Sequence, residues 1–89
     1  MSERDNAQQA LAALKSAEQK PAAEALPILN ALIPLVQSGA AENLETDEAR
    51  ASAFMAICEV GKALHRGQPV DAHYAKAIAA TERWVALAG

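Results

Sequence analysis

At 89 residues the chain has the length of one small domain, and a domain this short buries a limited share of its surface. The net charge of −3, with eight Lys and Arg spread over the whole length, excludes a general nucleic-acid binder, which needs clustered positive charge. One cysteine rules out an intrachain disulfide, and no apolar run approaches the roughly 20 residues of a membrane span.

The opening "MSERDNAQQ" is polar and charged, unlike a signal peptide. The expected location is therefore cytoplasmic, in a bacterial or phage setting on the alanine bias. Alanine supplies 23 residues, half of the apolar composition. It favours helix but fills little volume. Helices built from it must approach closely, or pack on a second chain, to reach native packing density. That favours a homo-oligomer, most simply a homodimer.

The first helix is expected over residues 3–19. Ser2 with Asp5 three residues on resembles a capping box. Ala7, Ala10, Leu11, Leu14 and Ala17 share one face. Only two of these are large, which predicts a weakly packed, peripheral helix with a frayed start.

Pro21 ends that helix, and "PAAEAL" reads as a separate short turn. The second helix is expected over 27–37, with Pro27 as its first residue, where a missing N–H costs nothing. Ile28, Leu29, Leu32, Ile33, Leu35 and Val36 fall within an arc of about 160°. Pro27 and Pro34 fall together on the opposite side. Pro34 interrupts the helix at a penalty of roughly 3 kcal/mol and predicts a kink there, convex toward solvent. Ser38-Gly39 supplies the stop. "AAENLE" follows as a loop or a single turn that Leu44 anchors to the core.

The third helix is expected over 47–65, with Thr46 as N-cap, Asp47 and Glu48 at the positive end of the dipole, and Gly67 as the stop. Its polar arc is narrow: Arg50, Glu59, Lys62 and Arg66. A helix so apolar around its circumference should be surrounded, at the centre of the fold or at an oligomer seam. Phe54, Ile57, Gly61 and Leu64 are the self-association candidates. Mid-helix Gly61 costs about 1 kcal/mol relative to Ala, which predicts close approach by another helix. The fourth helix is expected over 69–87, with Val70, Tyr74, Ala77, Ile78, Thr81, Trp84, Val85 and Ala88 on one stripe. Short connections favour antiparallel neighbours. The fold class is thus all-α: a single domain forming a small up-and-down bundle of about four helices, three making the core and the first attached to it.

Chemistry-bearing residues are few. Cys58, His65 and His73 are the candidate zinc ligands, with spacing that arises readily by chance. The plainer reading makes Cys58 a small buried hydrophobe and His65 a helix C-terminal cation. A mid-helix Cys58 on an apolar face is a poor nucleophile. Ser2, Ser16, Ser38 and Ser52 have no nucleophile-elbow context, and the four glycines form no phosphate-cradling loop. The carboxylates Glu42, Glu45, Asp47 and Glu48 read as a solvated loop entering a helix. No enzyme activity and no cofactor are expected. Neither of the last two helices carries the exposed basic residues of a DNA-recognition helix.

Two surface features remain. The acidic stretch with Glu42, Glu45 and Glu48 suits a basic partner. Trp84 beside Arg83 pairs two residue types enriched at interface hot spots, although Trp serves equally well in a core. The expected function is a small acidic helical module that binds a partner protein and modulates or inhibits it. The alternatives are a structural accessory subunit and a metal-binding bundle.

Overall fold

The computed structural model describes residues 3–37 and 43–88. Four α-helices and no strand occur among them: α1 Glu3–Glu18, α2 Ala22–Gln37, α3 Leu44–His65 and α4 Asp71–Leu87. Ser2, the Ser38-Gly39 stop and Glu42 lie outside the described residues.

The inward positions repeat with the three- and four-residue spacings of a helix seam. They are Ala7, Ala10, Leu14 and Ala17 on α1; Ala25, Leu29, Leu32 and Val36 on α2; Ala49, Ala53, Ile57 and Val60 on α3; Tyr74, Ala77, Thr81 and Trp84 on α4. All four helices contribute to one core. Helices adjacent in the chain pack together, and α1 closes on α4, while the backbones of the diagonal pairs stay farther apart among the described residues. Hydrogen bonds fix the directions. Thr46, at the start of α3, donates its hydroxyl to the carbonyl of Leu87, at the end of α4, across 3.3 Å. Trp84, also late in α4, donates to Glu3 at the start of α1. Arg50 donates to the carbonyl of Val36, at the end of α2. The result is an antiparallel four-helix bundle.

α1 is not peripheral. It packs on both α2 and α4, and its three inward alanines are as fully buried as Leu14. Small side chains let its neighbours come close, and α4 supplies the bulk of Tyr74 and Trp84 from the other side.

α2 begins at Ala22 rather than at Pro27. "PAAEAL" is its first turn, with the N–H groups of Glu24 and Ala25 both donating to the Pro21 carbonyl. One helix therefore runs through Pro27 and Pro34 alike. Both prolines are exposed, as are Ala23 and Asn30, whose carbonyls lose their i+4 donors. The solvent side can satisfy those carbonyls. Burial of Ala25, one turn before Leu29, extends the helix backward through Pro27.

α3 begins at Leu44 and not Asp47. Its cap is Asn43, whose side chain accepts the Thr46 N–H at 2.8 Å. Thr46 is a buried residue of the first turn. Leu44 does not anchor the segment, being 73% exposed. The far end closes as expected: Gly67 has φ 65°, its N–H reaches the Leu64 carbonyl, and the Gln68 N–H reaches Ala63. This is the two-bond Schellman arrangement. α4 starts two residues later than Pro69, after Val70.

Candidate functional site

The expected hot-spot pair does not form. Trp84 has no exposed surface, and its indole N–H donates to Glu3 Oε1 at 3.0 Å. It is a core residue with its one polar group satisfied. Arg83 is exposed beside it on α4. Glu45 and Glu48 are exposed on α3, at the bundle end where Thr46 meets Leu87.

The self-association candidates face inward. Ile57 is 1% exposed, and Phe54 and Leu64 are half-buried against the core. Gly61 is different. A Cβ built on it would meet nothing within 4 Å, so no helix of this chain approaches closely there. It borders a groove of about 280 Å³ between α2 and α3, together with Ile33, Cys58 and His65. His73 borders a different groove, between α3 and α4. The three residues of the zinc alternative are therefore split over two faces of α3. Among the described residues no group of three or more His, Cys, Asp or Glu is placed to share a metal ion.

Among the described residues α3 packs only on α2 and α4, so its outer face is not covered by another helix. Arg50 leaves the expected polar arc to tie α3 to α2, donating to the Val36 carbonyl at 3.1 Å and to Asp47 Oδ1 at 2.6 Å. The outward stripe is instead Glu48, Ala51, Met55, Glu59 and Lys62, all exposed. Met55, at 67% exposure, is its apolar centre. A shallow groove of about 510 Å³ runs alongside, bordered by Ser52, Met55 and Ala56 of α3 and by His73, Lys76 and Ala80 of α4.

No protein family, curated protein or solved structure matches this chain. The surface must be read from its own residues. Met55 was the residue missed by composition and periodicity. The available signal was a large apolar side chain standing between Glu48, Glu59 and Lys62 at helical spacing. No helix is long and apolar enough to cross a membrane among the described residues.

Proposed function

We propose that the protein is a protein–protein interaction module that binds and modulates a partner through the outer face of α3 and its groove with α4. The observation that carries the reading is Met55. It is a large, flexible apolar side chain held in water, beside the small residues Ser52 and Ala56 and an open groove. Methionine adapts to irregular partner surfaces, and small neighbours let a partner backbone come near. The charged residues around the patch, Glu48, Glu59, Lys62 and Lys76, give it the polar rim of an interface.

Binding is favoured over catalysis. Among the described residues no hydrogen bond joins Cys58 to a histidine, the pairing through which a base would activate its thiol. A structural accessory subunit would use the same face, covered permanently in a larger assembly. A cytoplasmic location accords with either reading.

A photo-crosslinking amino acid placed at position 55 in producing cells tests the surface. Adducts to protein from position 55, and none from exposed Ala12 on α1, are expected. Equal or absent crosslinking from the two positions would remove the reading.

A further inference from the structure

We infer that the occupant of the α3 face is a second copy of this chain, with the two α3 helices antiparallel and Met55 on the two-fold axis. This rests on the contact reading above and names its partner.

The argument is the placement of residues about Met55. At about 100° per residue, Ala51 and Glu59 lie four positions to either side of it, within about 40° of its direction. Glu48 and Lys62 lie seven positions to either side, and Leu44 and Arg66 eleven, all within about 20°. Every one of these residues is exposed. The stripe is thus symmetric in spacing and opposite in charge at its seven-residue positions. A two-fold axis through Met55 sets Glu48 of each copy against Lys62 of the other, about 10.5 Å from the axis. It sets Leu44 against the aliphatic stem of Arg66 and puts Ala51, which takes little room, opposite Glu59. A parallel pairing in register would set Glu48 on Glu48 and Lys62 on Lys62. Only the antiparallel arrangement is attractive at both charged positions, and it also opposes the helix dipoles. A self-complementary patch of this kind is what a closed two-fold dimer requires.

Lys62 is already held on this face by Glu59, at 3.3 Å within the chain. In the pair it would lie between two carboxylates. Such exposed ion pairs set orientation more than affinity. A helix of 22 residues is about 33 Å long and presents roughly 330 Å² of face. The pair therefore buries under about 1,000 Å² in total and belongs with weak, reversible interfaces.

Sedimentation velocity of the full chain at low salt, across dilute to millimolar concentrations, tests this with wild type, Glu48→Lys, Lys62→Glu and an equimolar mixture of the two variants. Wild type should rise from 9.3 kDa toward twice that mass. Each variant alone should dimerise several-fold more weakly, since each pairs like charges. The mixture should recover, because a chain with lysine at both positions then faces a chain with glutamate at both. Both positions are exposed, and far-UV circular dichroism checks that the variants keep their helix. Wild type that stays at the mass of one chain up to millimolar concentration would overturn the proposal. So would a dimer indifferent to both charge reversals, or a mixture that does not recover. If the chain is monomeric while position 55 still crosslinks a different protein, self-pairing fails and the contact reading stands.

Discussion

The indole N–H of Trp84 donates to Oε1 of Glu3 across 3.0 Å, joining residues 81 positions apart. The bond fastens the first residue of α1 to the last turns of α4. It also provides the acceptor that lets the largest side chain of the core lie fully buried.

Loss of that acceptor should be felt by the whole bundle. A buried donor left without a partner costs about 1–3 kcal/mol. Glu3→Ala should lower stability by that amount in urea titration, whereas Glu3→Gln, which keeps an oxygen acceptor, should recover most of it. Equal loss from both variants would mean that the bond contributes through something other than its acceptor.

Tyr74 presents the opposite case. It is buried, and its hydroxyl has no hydrogen-bond partner among the described residues. Tyr74→Phe removes an unsatisfied polar group and should leave stability unchanged or raise it by about 1 kcal/mol. Burial first, and the negative charge of Glu18 second, raise the Tyr74 pKa above its ordinary value of 10.0. The folded state thus keeps the proton that the unfolded chain releases. The associated stability is fully present below the unfolded pKa and is lost as pH rises from about 10 through the folded pKa. Alkaline unfolding followed by circular dichroism should be shallower above about pH 10 in Tyr74→Phe than in wild type. Superimposable curves would remove this assignment.

Gly61 weakens α3 and receives no close packing in return, since a Cβ there meets nothing within 4 Å. Gly61→Ala should therefore stabilise the isolated chain by about 1 kcal/mol. For a domain of this size that raises the thermal midpoint by about 4–8 °C. A lowered midpoint would show that something does pack against Gly61.

Asn43 caps α3 through the Thr46 N–H. Asn43→Ala should cost about 1 kcal/mol and Asn43→Asp little, because an aspartate oxygen can accept the same bond. Denaturant midpoints decide it. A fully stable Asn43→Ala would move the effective start of the helix to another residue.

The helical class, the number of helices and most of their inward faces were legible in the amino-acid order alone. Those properties follow from local chemistry: alanine-rich propensity, apolar spacing near the helical period, and Gly67 in the left-handed conformation that ends α3. The outward direction of Pro27 and Pro34 was legible for the same reason, since angular position along a helix needs no tertiary information.

Which apolar residues are covered depends on the packed fold. Ala7 and Ala10 resemble Ala51 in hydropathy, yet the first two are buried and Ala51 lies in water. Alanine is small enough to be tolerated on either side, so its position records what packs opposite rather than its own preference. The same ambiguity made α1 look peripheral and α3 look central. Trp84 was resolved by Glu3, a partner 81 residues away that no local pattern could indicate. Met55 carries a local signal in its charged neighbours Glu48, Glu59 and Lys62, but its exposure is decided by the packed fold, in which α2 and α4 cover the other sides of α3.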